Sequence, residues 1–186
     1  MQQIKRMIES LQPLSDAEWH RIQATIRTQH FSKGDVLQRE GKVVQDVYFI
    51  VKGLLRVYYV KEGNEFTRQF FFENGFVLDL ASCISRQPTR LFIDAVEPTE
   101  VLRIPYTELD RLKVTKEHVL SNAYVKVVER MSSIFLDSPE EKYRQLVTQR
   151  PKVMQRIPQY MIASYIGVTP EGLSRIKKRM ADSDRS

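Results

Sequence analysis

Residues 156–178 read RIPQYMIASYIGVTPEGLSRIKK, and this pattern predicts two helices joined by a tight turn. Apolar side chains recur at the three- and four-residue spacing that gathers them on the inner faces of two packed helices. These side chains are Met161, Ile162, Ile166, Leu173 and Ile176. Gly167 can adopt the positive φ that ends a first helix, and Thr169 followed by Pro170 is a typical start for a second. The segment is therefore predicted to be a helix-turn-helix unit.

The face that this packing leaves outside is polar and basic. It comprises Thr169, Pro170, Glu171, Ser174, Arg175, Lys177 and Lys178. Arg175 can make a bidentate contact with guanine, and Glu171 can accept a hydrogen bond from the amino group of cytosine. The serine and the lysines suit phosphates. We therefore expect the second helix to lie against double-stranded DNA, although any helical hairpin with a solvated charged face would show similar periodicity.

Composition allows this interpretation. The chain has 186 residues, 42% of them hydrophobic, and a net charge of +6, which suits one or two globular domains with apolar cores. Residues 156–180 contain five Lys or Arg residues and one Glu, so this short segment carries +4 of the net charge. Basic charge concentrated on a candidate DNA-contacting unit suits a polyanionic partner, and a merely solvated surface is the alternative.

Cysteine and histidine usage argues against disulfides and metal sites. Cys83 is the only cysteine, which excludes a disulfide framework, a four-thiolate iron–sulfur cluster and a cysteine-rich zinc site within one chain. His20, His30 and His118 are far apart and lack ligand spacing, so we expect no metal and no cofactor. The sequence has no apolar run near the roughly twenty residues that span a membrane, and its N-terminus lacks a secretory pattern. A cytoplasmic protein is therefore expected.

The N-terminal part of the chain changes from a helical to an extended pattern. Residues 1–29 look helical, and Ser15 with Glu18 forms a capping box within them. From residue 31 to residue 104 the sequence is rich in Val, Ile, Phe and Tyr, in short alternating runs broken by glycines. Three of these runs, at 47–51, 55–60 and 66–71, predict strands at close, regular spacing. A compact antiparallel barrel or roll follows.

A longer helix, from about Thr115 to Leu136, carries a coiled-coil seam. Its apolar residues step by four, three, four and three, and they are Leu120, Tyr124, Val127, Met131 and Ile134. A seam of this kind usually pairs with its own copy, so we expect a homodimer; packing on the roll is the alternative. The helix is predicted to stop at Asp137, because Ser138 and Glu141 form a second capping box and Pro139 suits a first helical turn.

The predicted elements are, in order, a roll, a seam helix, a hinge and a helix-turn-helix. This arrangement resembles that of the Crp/Fnr family of bacterial transcription regulators along nearly the whole chain. The resemblance rests on residues 31–37, 40–41, 47–53, 135–137 and 162–175. It implies an α+β fold: an antiparallel cyclic-nucleotide-binding-like jelly roll with N-terminal helices at 1–113, a dimerisation helix at 114–136 and a DNA-binding domain at 137–186. The short tail after Met180 has no room for the β-hairpin wing of longer members, so we expect a wingless branch.

The expected effector pocket departs from the family pattern. Cyclic-AMP-binding members carry a Glu for the ribose hydroxyl and, about ten residues later, an Arg for the phosphate. Here Asp79 and Leu80 stand at the first place; Thr89 falls on the Arg position, and Arg90 falls on the position of a small hydroxyl residue. Losing two hydrogen bonds to charged groups, at roughly 1.5–3 kcal/mol each, weakens binding by about two to four orders of magnitude. We therefore predict that cyclic AMP is not a tight ligand.

The resemblance thus implies a homodimeric, sequence-specific DNA-binding regulator that is not an enzyme. Its expected partners are double-stranded DNA, RNA polymerase and an unidentified small-molecule effector, with no membrane. One alternative is a cyclic-nucleotide or other small-molecule binding module whose C-terminal helices contact protein; steeply salt-dependent binding to duplex DNA would argue against it. A cupin-like metal enzyme is a second alternative, but that chemistry needs clustered histidines and carboxylates, which the sequence lacks.

Overall fold

The structure of the chain is a computed structural model that describes residues 1–11, 13–149 and 154–183. Within these ranges, side chains are described except at positions 113–120, 122, 123, 126, 149 and 183. Helix α1 spans Gln2–Glu9, and helix α2 spans Asp16–Thr25. The start of α2 confirms the first capping box, because Glu18 N–H donates to Ser15 Oγ at 3.3 Å and Ser15 N–H donates to Glu18 Oε2 at 2.9 Å.

The predicted helical region, residues 1–29, is wrong for its last four residues. The backbone of Ile26 is extended, and strand β1, Arg27–Phe31, begins directly after it. Thr28 pairs with Leu102 of an antiparallel neighbouring strand, and this pairing supplies the backbone hydrogen bonds that another helical turn would have supplied. Tertiary pairing therefore outweighs the local helical pattern at this point.

Two four-stranded sheets form the body of the fold and confirm the predicted antiparallel roll. The strands after β1 are β2 Val36–Gln38, β3 Asp46–Lys52, β4 Leu55–Lys61, β5 Asn64–Phe71, β6 Phe76–Val77, β7 Phe92–Ala95 and β8 Thr99–Pro105. The first sheet has the order β1-β8-β3-β6 and the second the order β2-β7-β4-β5. The three strand runs predicted from the sequence are β3, β4 and β5. The β4–β5 hairpin turns at Glu62 and Gly63, both at positive φ, as a two-residue type I′ turn requires.

Alternation along β3 places neighbouring side chains of this strand in two different apolar clusters of the core. Tyr48 and Ile50 pack into the first cluster, with Leu55, Val57, Val77, Leu91, Ile93, Ala95 and Val101. Phe49, the residue between them, packs into the second cluster, with Ile4, Ile8, Trp19, Ile22, Ile26, Leu102, Ile104 and Leu112. Successive side chains of a strand point to opposite faces, so a single strand joins the interior of the roll to the N-terminal helices.

Helices make up most of the remaining chain. They are α3 Leu80–Ser85, α4 Tyr106–Asp110, α5 Lys113–Leu136, α6 Pro139–Gln149, α7 Gln159–Ile166 and α8 Pro170–Ser183. Helix α5 starts two residues before the predicted boundary and ends at the predicted residue. The second capping box is also confirmed: Ser138 N–H donates to Glu141 Oε2 at 2.7 Å, and Glu141 N–H donates to Ser138 Oγ at 3.2 Å.

The chain divides into two compact units, and each unit is made of two separate segments of the sequence. One comprises Met1–Val57 with Phe70–Val125, and the other comprises Tyr58–Gln69 with Lys126–Ser186. The tip of the β4–β5 hairpin therefore belongs to the same unit as α6, α7 and α8. The three-domain division at residues 113 and 136 stays a prediction. In the described part of the chain, every helix is too short or too polar to cross a bilayer.

Candidate nucleic-acid interface and effector site

Helices α7 and α8 form a tightly packed pair. All the apolar residues predicted to lie between them are buried, and Ala163 is completely so: the set is Met161, Ile162, Ala163, Ile166, Leu173 and Ile176. Gly167 ends α7 at φ +83°, in the left-handed region that the sequence predicted for it. The N–H groups of Gly167 and Val168 both donate to the carbonyl of Ala163 at 3.0 Å. The turn between the two helices is therefore fixed by backbone hydrogen bonds.

The start of α8 is also as predicted. Thr169 precedes the helix, and its Oγ1 accepts a hydrogen bond from the N–H of Gly172 at 3.2 Å. Pro170 is the first helical residue, where a missing N–H costs nothing. A capped first turn gives this end of the helix a fixed direction, which side chains projecting from it need if they are to read base edges.

The predicted DNA-contacting residues all stand on the exposed surface of this pair. Every one of Thr169, Pro170, Glu171, Ser174, Arg175, Lys177 and Lys178 is exposed. Among the described residues, neither Arg175 nor Lys178 has a salt-bridge partner. Their charges therefore face solvent, which is the arrangement that an anionic partner requires.

Glu171 is held in its ionised form. Hydrogen bonds from its own backbone N–H and from the Thr169 side chain lower the pKa of this carboxyl, and the positive charge of Arg175 lowers it further. A glutamate is ionised at neutral pH in any case, and the lowered pKa keeps this carboxylate an acceptor at more acidic pH as well. That state suits a contact with the amino group of cytosine and disfavours a contact with phosphate.

Two basic side chains of α8 are partly engaged within the protein. Lys177 Nζ donates to Gln159 Oε1, on the first residue of α7, at 3.1 Å. Arg179 Nη2 lies 3.2 Å from Glu140 Oε2 on α6. Both contacts are exposed, so they orient the side chains more than they stabilise the fold. The sequence analysis did not single out Arg179 or Gln159, because neither pairing is visible from local spacing.

Apolar side chains on α5 are exposed in the single chain. Of the predicted seam, Tyr124, Val127, Met131 and Ile134 are between 42% and 70% exposed, while the side chain of Leu120 lies outside the described residues. The sequence analysis missed a second exposed row on the same helix, formed by Val125, Val128, Phe135 and Leu136. An apolar surface of this extent on a helix indicates a contact with another molecule.

The candidate effector residues divide into a buried pair and two peripheral residues. Asp79 and Thr89 are both buried, and the Thr89 hydroxyl donates to Asp79 Oδ2 at 2.5 Å. Asp79 also caps α3, since its Oδ1 accepts from Ser82 N–H at 3.2 Å. Leu80 is the first residue of α3 and is half-buried, whereas Arg90 is exposed and is not part of the buried group.

The hydrogen bonds of this buried pair are satisfied within the protein. Thr89 Oγ1 accepts from Leu91 N–H at 3.0 Å and from Gln38 Nε2 at 3.4 Å. Sequence reasoning missed Gln38, because its strand lies some fifty positions away along the chain. A ligand that used Asp79 as an acceptor for its own hydroxyl would have to displace Thr89. Thr89 is buried and Arg90 is exposed, and both lie in the loop before β7 rather than in a strand.

Replacing Thr89 with alanine is expected to destabilise the roll by roughly 1.5–3 kcal/mol, because a buried carboxylate loses a hydroxyl donor. Thr89→Ser keeps the hydroxyl and is expected to cost less. Denaturant unfolding followed by the fluorescence of Trp19, the only tryptophan of the chain, measures the difference. Equal stability of the alanine and serine variants would contradict the contact between Thr89 and Asp79.

A groove of the roll that Gln38 lines is open to solvent. Its volume is about 310 Å³, and it is lined by Val36, Leu37, Gln38, Arg39, Lys42, Val43, Val44, Gln45, Asp46 and Tyr48. Asp46 is already paired with Arg103 Nη2 at 2.7 Å.

The described residues include no group of three or more His, Cys, Asp or Glu side chains arranged for a metal ion. Burial raises the pKa of the Cys83 thiol to about 11, so this thiol is not a nucleophile at neutral pH.

Comparison with known proteins shows similarity to one family model and to several solved structures. Residues 28–115 match the family model of the cyclic nucleotide-binding domain. The solved structure of the c-di-GMP responsive global regulator CLP of Xanthomonas campestris is similar, with 19% identity, a TM-score of 0.65 and coverage of 91% of this chain and 93% of that one. A structure from Eubacterium rectale, described as a transcriptional regulator of the Crp/Fnr family, is similar with 18% identity, a TM-score of 0.69 and coverage of 91% and 85%.

A curated relative matches only in part. Lysophospholipase NTE1 of Cryptococcus neoformans is 27% identical over 112 residues, which is 59% of this chain. The chain spans 6% of the length of that relative. The fold predicted from the sequence is confirmed: it is the jelly roll of a cyclic nucleotide-binding domain with flanking helices, followed by C-terminal helices, as in Crp/Fnr structures.

Proposed function

We propose that this chain is a dimeric, sequence-specific DNA-binding transcription regulator of the Crp/Fnr type. One observation carries the proposal: the predicted DNA-contacting residues are all exposed on α8 or on Thr169 directly before it, and a buried apolar interface fixes this helix against α7. The structural similarity to proteins described as transcription regulators supports it. The proposed site of action is the cytoplasm, and the proposed partners are duplex DNA and RNA polymerase.

The exposed face of α8 is suited to a helix-turn-helix contact. Glu171 is four residues before Arg175, and Ser174 is four residues before Lys178, so all four lie on one side of the helix. In the proposal, Arg175 binds guanine through its two donor groups and Glu171 accepts from cytosine. Ser174, Lys177 and Lys178 contact phosphates, while Thr169 and Pro170 fix the start of the helix.

The exposed seam of α5 supports a homodimer. In the proposal, two α5 helices pair through Tyr124, Val127, Met131 and Ile134, and Leu120 extends the pairing. A twofold dimer presents two α8 helices at a spacing of about 34 Å, which is one turn of DNA, to a near-palindromic site. The hinge between α5 and α6 is the proposed point of adjustment. There Asp137 N–H donates to Ser133 O at 3.2 Å, and Asp137 Oδ2 accepts from Gln145 Nε2 at 3.2 Å.

The roll is proposed to be an effector domain that does not bind cyclic AMP tightly. Asp79, which replaces the ribose-binding Glu of cyclic-AMP-binding members, already accepts the Thr89 hydroxyl and the Ser82 N–H. Arg90 is exposed, so it stands apart from the buried pair. A different small molecule, or a purely structural role for the pocket, is consistent with this arrangement.

Arg175→Ala is expected to relax the sequence preference of the protein at one base pair in each half-site. A bidentate contact between arginine and guanine is worth roughly 1–3 kcal/mol of discrimination, or about 5- to 150-fold in relative affinity. Selection from random duplexes, followed by anisotropy titrations on the selected site and on single-base changes of it, measures the effect. Lys178→Ala is the matched control, since loss of a phosphate contact weakens all sites alike and lowers the salt slope by about one.

Two results would contradict this assignment. An unchanged preference in Arg175→Ala would remove the base contact from the proposal. Binding to duplex DNA that is absent or insensitive to salt would favour the alternative in which the C-terminal helices contact protein.

A further inference from the structure

The hydroxyl of Ser164 hydrogen-bonds to two backbone groups at the unpaired edge of strand β5. Strand β5 is the last strand of its sheet, so its outer edge carries backbone groups that no neighbouring strand pairs. Ser164 of α7 accepts from the N–H of Thr67 at 2.9 Å and donates to the carbonyl of Glu65 at 2.8 Å. Residues two apart in a strand direct their backbone groups to the same edge. The Ser164 side chain therefore makes the two hydrogen bonds that a partner strand would otherwise make.

The contact between Ser164 and β5 is shielded from solvent only at Thr67, because the hydrogen bond to the Glu65 carbonyl is exposed. Thr67 is buried, and its own hydroxyl has no hydrogen-bond partner among the described residues. A Thr67 N–H that lost the Ser164 hydroxyl could not easily turn to water instead. Breaking the contact therefore costs more than breaking an exposed side-chain hydrogen bond.

The next residue of α7 is held from a different direction. The Arg130 guanidinium of α5 lies 4.1 Å from the ring centroid of Tyr165, and its Nη2 donates to the Tyr165 carbonyl at 2.8 Å. A cation at this carbonyl is favourable, because the last carbonyls of a helix lack partners within it and carry partial negative charge. Ser164 and Tyr165 together tie α7 to the tip of the β4–β5 hairpin and to α5.

The contacts of Ser164 and Tyr165 hold α7 in place, and the packing of α7 against α8 holds the exposed face of α8 in place. The two helices share a buried interface through Ile162, Ala163, Ile166, Leu173 and Ile176. All of these residues, with the hairpin tip and Arg130, belong to one compact unit. A shift of α7 would therefore carry α8 with it as one rigid pair.

We propose that Ser164 is a positioning residue whose hydroxyl fastens α7 to the edge of β5 and thereby sets the orientation of the DNA-contacting face of α8. This inference rests on the proposed function. Ser164 itself touches no DNA in the proposal. Ser164 lies on a different element from Asp137, so this fastening of α7 is separate from the hinge.

The test compares Ser164→Ala with Ser164→Thr in the full-length protein. Ser10→Ala is the matched control, since it also removes a hydroxyl-to-carbonyl hydrogen bond, from Ser10 Oγ to Met7 O at 2.7 Å, but in the other compact unit. Amide hydrogen exchange reports the fastening, and anisotropy titration on a selected duplex reports its effect on DNA. We expect Ser164→Ala to speed exchange in β5 and to weaken specific binding roughly three- to tenfold, with an unchanged salt slope. Ser164→Thr and Ser10→Ala are expected to behave as the native protein.

Each outcome separates this inference from the function on which it rests. Unchanged exchange in β5 would show that Ser164 does not fasten the edge, and the inference would fail whatever the protein does with DNA. Faster exchange with unchanged DNA affinity would overturn the positioning role and leave the proposed function intact. If the native protein binds no duplex, the proposed function fails first, and faster exchange in Ser164→Ala would then support a fastening without a DNA role.

Discussion

Replacing Met131 and Ile134 together with glutamate is expected to leave the protein monomeric and to lower its affinity for duplex DNA by roughly 100-fold or more. Both side chains are about half exposed in the single chain, at 52% and 53%, and a paired α5 would bury them. Twofold symmetry places each substitution in the interface twice, so four carboxylates would meet in an apolar seam. Burying unpaired charge costs several kcal/mol, which exceeds the roughly 1.5–3 kcal/mol that one apolar side chain contributes by burial.

The loss of DNA affinity follows from the loss of the second α8. A monomer makes half of the proposed base and phosphate contacts and gains nothing from a second site held at a fixed distance. Sedimentation velocity gives the oligomeric state, and anisotropy titration gives the affinity for a two-half-site duplex and for a single half-site. The two affinities are expected to differ strongly for the native protein and little for the variant.

The control for this prediction must match the change in net charge, because added carboxylates alone weaken binding to DNA. Lys33→Glu changes the net charge by the same amount at an exposed position between β1 and β2. It is expected to leave the dimer intact and to lower DNA affinity only modestly. A double glutamate variant that sediments as a dimer, or that binds DNA as Lys33→Glu does, would refute the proposed seam.

The sequence predicted those parts of the fold that depend on local physics. Both capping boxes, the left-handed Gly167 and the start of α8 depend on residues within four positions of one another, and all were predicted correctly. The strands β3, β4 and β5 were predicted for the same reason, since period-two alternation is a local signal. The exposed positions of α8 followed from the apolar spacing of its buried face.

Contacts between distant residues could not be predicted in this way. The hydroxyl of Ser164 bonds to backbone groups almost one hundred positions earlier, and any polar side chain on α7 would have had the same appearance in the sequence. In the sequence, Thr89 only marked the absence of the phosphate-binding Arg of cyclic-AMP-binding members. In the structure, its hydroxyl donates a hydrogen bond to Asp79. Strand β1 was mistaken for helix because only its pairing with β8 fixes its conformation.

The burial of Arg56 is a further feature that no local pattern predicts. This residue interrupts the apolar run of β4, where a charged residue would be expected on a solvated face, yet it is 2% exposed. Its guanidinium makes two parallel hydrogen bonds with Asp94 of β7: Nε donates to Oδ1 at 3.0 Å, and Nη2 donates to Oδ2 at 2.6 Å. The carboxylate that compensates the buried charge lies 38 positions away, so no local window contains both groups.

Asp94→Ala is therefore expected to lower the free energy of unfolding by about 3–5 kcal/mol, because it removes the carboxylate that accepts two hydrogen bonds from the buried Arg56 guanidinium. Trp19 belongs to the same compact unit as the pair, so urea unfolding followed by its fluorescence reports this loss. Asp94→Asn, which keeps one acceptor oxygen without the charge, is expected to fall between the alanine variant and the native protein. A loss below about 1 kcal/mol in Asp94→Ala would mean that the pair is solvated in solution.

The double variant Arg56→Met with Asp94→Leu separates the pair's charge from its packing. If the large loss in Asp94→Ala comes from burying the Arg56 charge without the Asp94 carboxylate, removing both charges while keeping apolar volume restores stability to within about 1–2 kcal/mol of the native protein. Such a recovery would mean that the pair contributes little net stability. Its effect would then be to fix which residues of β4 and β7 face each other. That register matters beyond the roll, because β4 leads directly into the hairpin whose other strand contacts Ser164. A double variant as unstable as Asp94→Ala would instead show that the ion pair itself stabilises the sheet.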